Sequence, residues 1–201
     1  MYIHNDNIGT MQKNLDWQSY LDYTKEIISS TNPAAPYDNP DYLHYTLMNE
    51  KRMQRWLKAN PITDETAAII RSISTAQHWL VITEPWCGDA AHIVPILYLM
   101  STLNEKIDFR LQLRDQDSEI EQYLTNGTRS IPMLIVRNAT GQDIFHWGPR
   151  PKEGQEMYLA LAARKADFEE VKTAIQHYYN KDKSLSTQRE VAALLQSYPG
   201  I

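Results

Sequence analysis

The stretch that decides the fold is EPWCGDAAHIVP, residues 84–95, which holds the only cysteine in the chain. It follows WLVIT, residues 79–83, a continuous apolar and β-branched run that is typical of a strand buried on both faces. The residues after the cysteine predict a helix over about 87–104. Cys87 is therefore expected at the start of a helix that directly follows a buried strand. The unpaired N–H groups at a helix start favour the thiolate form of a cysteine.

The segments that follow predict a mixed sheet. IDFRLQL (107–113) alternates in polarity as a strand does, PMLIV (132–136) predicts another buried strand, and DIFHW (143–147) returns after a turn. A short helix is expected over 117–124 and a long one over 152–179. The order β-α-β-α-β-β-α implies a parallel pair of strands extended by antiparallel strands, with right-handed crossovers.

The two ends of the chain read as helices. Helical spacings predict segments at about 10–29, 41–59 and 63–77, and a last helix begins at Thr187 with the capping box Thr-Gln-Arg-Glu. We therefore divide the chain into a helical N-terminal extension packed on the core (1–76), an α/β domain (77–180) and a C-terminal helix (181–201).

Composition narrows the function classes. The net charge is −5, and no basic run is interleaved with aromatic residues, so nucleic acids and anionic membrane surfaces are not expected partners. No apolar run is long enough to span a bilayer, and the N-terminus lacks the pattern of a secretory signal. A single cysteine excludes an intrachain disulfide, which favours a cytoplasmic location.

Four features, in the right order, resemble the thioredoxin superfamily over residues 77–180. Trp86-Cys87-Gly88 matches the family's helix opening, and Pro95 stands where the family has a helix-kinking proline. LRDQDSEI (113–120) resembles its strand-to-helix passage, and RSIPMLIV (129–136) resembles the segment with a cis-proline before a strand. The resemblance implies a thioredoxin-like fold, a central mixed β-sheet flanked by helices, here with extra helices at both ends. It also implies a cis bond between Ile131 and Pro132.

The chain departs from the family pattern at the residues that carry the family's dithiol redox chemistry. Ala90 stands where the family has its second cysteine, Asp89 replaces the proline between the cysteines, and Val81 replaces the buried acid. Alanine cannot resolve a mixed disulfide, so the dithiol cycle is excluded within one chain. Three options remain open: monothiol exchange resolved by an external thiol, reversible oxidation as a sensor, or a non-catalytic interaction module. Of these we predict monothiol redox handling of a protein or small-thiol substrate through Cys87, with the non-catalytic interaction module as the alternative.

The predicted site follows from these matches. Cys87 is the sole candidate nucleophile, and Trp86, Gly88 and Asp89 are expected to shape its pocket. Ile131 and Pro132 are expected to position the partner, a protein or a small thiol, because the backbone beside the proline can pair with an extended peptide.

Two electrostatic effects on Cys87 oppose each other at this stage. The helix start favours the thiolate by about 0.3–1 kcal/mol. A carboxylate at Asp89, roughly 6 Å away in water, disfavours it by about 0.7 kcal/mol. We therefore do not predict a strongly acidified thiol.

No metal or cofactor is predicted. The six histidines form no close pair, and His92 lies about 140° around a helix from Cys87, which disfavours joint metal ligation. His92 is expected to be a surface or packing residue. No phosphate-binding loop or other catalytic motif is present.

Overall fold

The computed structural model describes residues 13–198 and consists of one four-stranded sheet with helices around it, so the predicted α/β class is confirmed. The strands are β1 Gln77–Thr83, β2 Ile107–Leu113, β3 Met133–Asn138 and β4 Asp143–Trp147. The helices are α1 Trp17–Ser29, α2 Pro40–Ala59, α3 Asp64–Ser72, α4 Ala90–Ser101, α5 Lys152–Ala163, α6 Phe168–Asp182 and α7 Leu185–Ser197.

The sheet has the order β2-β1-β3-β4. β1 runs parallel to β2 and antiparallel to β3, and β4 is antiparallel to β3. The predicted parallel pair with antiparallel strands added is therefore confirmed. Val81 lies opposite Leu111 on one side and Leu134 on the other, and all three side chains are fully buried. The central position of β1 explains why its sequence is continuously apolar rather than alternating.

The N-terminal part of the chain covers one edge of the sheet. Leu15 and Leu111 exchange two backbone hydrogen bonds of 2.8 Å each, so the outer edge of β2 is partly paired. Such pairing removes a row of free backbone groups that would otherwise invite another strand. α1 begins directly afterwards, where Asp16 Oδ1 accepts a 2.7 Å bond from the Ser19 N–H. The predicted start of this helix, near residue 10, lies outside the described residues.

The single long helix predicted over 152–179 is wrong, because α5 ends at Ala163 and α6 begins at Phe168. Lys165 has a φ of 56°, and Asp167 caps the new helix by accepting from the Glu170 N–H at 2.9 Å. Phe168 is exposed at the first position of α6. The spacing of apolar residues continues across the break between α5 and α6, so it predicted one helix. The break is determined by polar groups such as the Asp167 cap.

Two smaller predictions are also wrong. The helix expected over 117–124 is only a 3-10 turn at Ile120–Gln122. The predicted capping box is absent because α7 begins at Leu185, two residues before Thr187. Glu190 instead accepts from Trp147 Nε1 and from the Lys152 N–H, both at 2.8 Å, and so fixes the start of α5 against the sheet.

Candidate functional site

The predicted site residues come together at the end of the two central strands. β1 ends at Thr83, the loop 84–88 follows, and α4 begins at Ala90. The Ile131–Pro132 peptide bond is cis and directly precedes β3, where Met133 pairs with Ile82 of β1. The two segments therefore meet at one end of the sheet, and the Cys87 thiol donates to the Ile131 carbonyl over 3.5 Å.

The Cys87 thiol is buried, with only 7% of the residue exposed. Burial raises the pKa of Cys87 to about 12, and the Asp89 carboxylate acts in the same direction. Arg150 and the N–H groups of Ala90 and Asp89 lower that pKa, but by less than burial raises it. Because this pKa lies well above 7, the resting protein holds almost no thiolate. The helix start and the Asp89 charge have opposing effects of similar size on the ionisation of Cys87, so burial determines that the thiol stays protonated.

Asp89 is engaged in a buried ion pair. It stands at the cap position of α4 without making a side-chain cap bond, and its carboxylate points to the guanidinium of Arg150. Arg150 Nε donates to Asp89 Oδ1 over 3.0 Å, and Arg150 Nη2 donates to Asp89 Oδ2 over 2.6 Å. The Tyr179 hydroxyl also donates to Asp89 Oδ1, over 2.7 Å. Bidentate Arg–carboxylate pairs are among the strongest charge-assisted contacts.

Arg150 reaches this place from the segment after β4. It follows the cis bond between Gly148 and Pro149, and its guanidinium also donates to Gln155 Oε1 and lies 4.2 Å from the Tyr158 ring centre. Gly148 has a φ of 142°, and a Cβ built there would lie 2.3 Å from the Pro132 carbonyl oxygen. Only glycine allows this close approach, which holds the arginine segment against the cis-proline.

Trp86 and Gly88 form the accessible part of the site. Gly88 is exposed, and a Cβ there would meet nothing within 4 Å. Trp86 is half-buried, with the Arg114 guanidinium 4.7 Å from its ring centre and the Tyr42 ring edge-on at 5.4 Å. Its indole Nε1 is buried and has no hydrogen-bond partner within residues 13–198.

Glu84 is a buried carboxyl at the start of the same loop. It accepts from the Asp115 N–H over 3.0 Å and from the Tyr37 hydroxyl over 3.3 Å. Burial raises the pKa of Glu84 to about 7, although the bond from Asp115 opposes this shift. Its proton is therefore gained or lost close to neutral pH.

His92 is a packing residue, as expected. It accepts from Trp56 Nε1 over 3.1 Å, lies 3.2 Å from Gln176 Oε1, and stacks on the Tyr179 ring at 4.5 Å. Burial lowers the pKa of His92 to about 4, so the ring is neutral at pH 7. Within the part of the chain that the structure describes, no group of acidic, histidine or cysteine side chains could hold a metal ion, and no helix could cross a membrane.

The sequence did not reveal the long-range partners of the site. Arg150, Tyr179 and Tyr37 lie 50 to 92 positions from Cys87 and carry no motif of their own. Glu84 lies three residues before the cysteine in the sequence, but its burial was not predictable because it depends on Tyr37 and on the residues after β2. A signal was available for Arg150 only in part, because GPRP marks a constrained loop without indicating what it contacts.

Comparisons with known proteins agree with this fold. A family model described as thioredoxin matches residues 36–181. An HIV epitope-scaffold crystal structure has a TM-score of 0.59 at 12% identity, with 92% of this chain and 94% of that chain covered. A protein of unknown function from Pseudomonas aeruginosa has a TM-score of 0.57 at 14% identity, with 91% and 98% covered. No curated protein sequence matches. At these identities the two structures show the fold alone, whereas the family match spans most of the chain, and the chain therefore belongs to the thioredoxin family.

Proposed function

We propose that this thioredoxin-fold protein is an interaction module that binds an extended polypeptide segment beside Pro132, and that thiol catalysis is not its main task. The observation that carries the proposal is the state of Cys87: it is buried, it donates to the Ile131 carbonyl, and its pKa is raised to about 12. Ala90 adds that no second thiol stands ready to resolve a mixed disulfide.

Binding at this face is supported by the arrangement around the proline. Ile131 lies just before β3 and outside the paired register of the sheet, which begins at Met133. An extended segment placed there would add to the end of the sheet through backbone contacts. The exposed Gly88 leaves room beside it, and the half-buried Trp86 offers an aromatic surface. The reducing interior of a cell, where a lone thiol stays reduced, is the compartment we propose for this function.

The second candidate is monothiol exchange, favoured by the 3.5 Å contact between the only sulfur and the segment that would hold the partner. In that reaction the Cys87 thiolate attacks a disulfide of the bound partner, forms a mixed disulfide, and releases one partner thiolate. A low-molecular-weight thiol then attacks the partner's sulfur in the mixed disulfide, which regenerates Cys87 and leaves the partner joined to the small thiol.

A selection from a displayed library of linear peptides tests the two candidates. The baits are the wild type, Cys87→Ser, Gly88→Tyr and Gly88→Ala. Tyrosine at position 88 adds a ring next to Cys87 in the exposed part of the site, whereas alanine there adds a methyl group in open space, so both should fold. The interaction module predicts the same peptides, with equal affinity, for the wild type, Cys87→Ser and Gly88→Ala, and at least tenfold weaker binding to Gly88→Tyr.

The alternative has a distinct signature. Enrichment restricted to peptides whose cysteine is presented as a mixed disulfide with a small thiol, lost in Cys87→Ser and released by a reductant, would replace the interaction module with monothiol exchange. Equal binding to Gly88→Tyr would contradict both, because it would put the peptides on another face.

A further inference from the structure

Arg52 is a half-buried arginine of α2 that has no carboxylate partner. Its Nη1 donates to Asn49 Oδ1 over 2.9 Å, and among the described residues it forms no ion pair. The other half-buried arginines each pair with a carboxylate: Arg110, Arg114, Arg137 and Arg150. Taking a guanidinium partly out of water costs free energy, which a carboxylate contact normally offsets. Arg52 therefore differs from the others in receiving no counter-charge from its own chain.

A second cation lies on the next turn of α2. Arg55 is exposed, its Nη2 donates to Asn180 Oδ1 over 3.4 Å, and its guanidinium lies 5.2 Å from the Trp56 ring centre. Burial lowers the pKa of Arg52, and the charge of Arg55 lowers it further. The neighbouring His92 ring is neutral at pH 7, so it adds no negative charge. The two arginines thus form a local positive region on a chain whose net charge is −5.

An exposed aromatic pair lies beside this positive region, near the start of α6. Phe168 is 65% exposed, and its ring is edge-on to the Tyr45 ring at 6.3 Å. The Lys172 amine lies 5.7 Å from the centre of each ring and is paired with Glu169. α2 and α6 therefore run side by side in the same direction, with contacts near their starts and near their ends. We call the surface formed by five residues of these helices the α2–α6 surface: Tyr45, Arg52, Arg55, Phe168 and Lys172.

We propose that the α2–α6 surface binds an acidic segment of another protein, with carboxylates on the two arginines and an apolar side chain on the two exposed rings. Charge complementarity favours this partner, because a guanidinium matches a carboxylate with two parallel hydrogen bonds and none of the described carboxylates pairs with Arg52. Asn49 connects the surface to the functional site, since it accepts from Arg52 and donates to the Pro85 carbonyl over 2.9 Å. In assigning the acidic segment to the polypeptide that binds beside Pro132, we rely on the proposed function.

Fluorescence anisotropy with two labelled peptides measures this binding. The acidic probe has the core Glu-Glu-Phe-Glu-Glu, and its neutral twin has the core Gln-Gln-Phe-Gln-Gln. We expect the wild type to bind the acidic probe about tenfold more tightly than the neutral twin. Arg52→Gln should lose most of this preference, and Arg55→Gln should bind the acidic probe about threefold more weakly, since an exposed charge contributes less. Lys51→Gln removes the same charge from an exposed position of the same helix and should match the wild type.

Urea unfolding separates binding from a structural role of Arg52. Arg52→Gln removes a half-buried charge that has no counter-charge and lies close to Arg55, so its midpoint should equal or exceed that of the wild type. If the midpoint of Arg52→Gln is lower, Arg55→Gln decides the question, because that side chain is exposed and its loss should not disturb folding. Unchanged binding of the acidic probe to Arg55→Gln would then overturn the acidic-segment proposal.

Three other results would also overturn it. These are equal affinity of the wild type for the acidic and neutral probes, equal losses in Lys51→Gln and Arg52→Gln, and displacement of the acidic probe by oligothymidylate at a lower concentration than by unlabelled acidic peptide. The last result would replace the acidic segment with single-stranded nucleic acid.

The variants also distinguish this proposal from the proposed function. Unchanged acidic-probe binding to Arg52→Gln, with library peptides lost in Gly88→Tyr, would contradict only the acidic segment. Loss of the acidic probe in Arg52→Gln, with library peptides retained in Gly88→Tyr, would contradict only the peptide site beside Pro132.

Discussion

Asp89→Asn is the most direct probe of the ion pair beside Cys87. The substitution keeps the shape of the side chain but leaves the Arg150 guanidinium buried without its counter-charge, since the two side chains are only 11% and 15% exposed. Removing one member of a buried pair typically costs about 3–5 kcal/mol. The slight exposure and the remaining bond to Gln155 favour the lower end, about 3 kcal/mol.

The assay is equilibrium unfolding in urea, with Asp115→Asn as the matched control. Asp115 pairs with Arg114 through the same two-contact geometry, but its side chain is 44% exposed. Exposed pairs contribute about 0–1 kcal/mol, so the control should unfold near the wild-type midpoint. Asp89→Asn should lower the midpoint by roughly 1–1.5 M at a slope of about 2–3 kcal/mol per M.

A double variant separates the orphaned charge from lost packing. Arg150→Met combined with Asp89→Asn removes the unpaired guanidinium and should regain about half of the loss. Asp89→Asn alone should also lower the pKa of Cys87, because it removes a charge that raises this pKa and keeps Arg150, which lowers it. Equal costs for Asp89→Asn and Asp115→Asn would refute the reasoning, since burial would then make no difference to the pair.

The remaining predictions concern stability and use the same unfolding assay. His92 is neutral when buried and has a pKa of about 4, so the unfolded chain takes up a proton first as the pH falls from 6.5 to 4. The wild type should lose about 3 kcal/mol relative to His92→Gln over this window. If the free energy of unfolding changed equally with pH in the wild type and in His92→Gln, the conclusion that His92 is buried in its neutral form would be wrong. Gly148→Ala should cost more than about 3 kcal/mol, because its Cβ would lie 2.3 Å from backbone oxygen at a φ of 142°, whereas Gly88→Ala should stay within about 0.5 kcal/mol of the wild type. Similar midpoints for the two alanine variants would show that the close approach at Gly148 yields easily.

The strands were predictable because hydrophobic burial alone specifies them. β2 and β4 have the predicted bounds, 107–113 and 143–147. β1 begins two residues earlier than predicted, and β3 begins one residue later and ends two residues later than predicted. The helix break near residue 165 was not predictable from apolar spacing, because Leu161 and Ile175 are buried on both sides of it. It depends on the Asp167 cap, and such polar caps are local signals that a continuous hydrophobic pattern obscures.

The position of Cys87 was predictable from the sequence, whereas its chemical environment was not. The position of Cys87 near the start of α4 was predictable from the local sequence pattern. Its closeness to Ile131 and Pro132 was predictable from the order of the strands. The environment of the sulfur comes from other parts of the chain: Arg150 holds Asp89 on one side, and Tyr37 holds Glu84 on the other. A sequence window around the cysteine contains both carboxyl groups but neither of their partners. The same Trp-Cys-Gly opening can therefore hold a reactive thiolate in one chain and a protonated, enclosed thiol in this one, and the difference rests on residues that lie far from the motif.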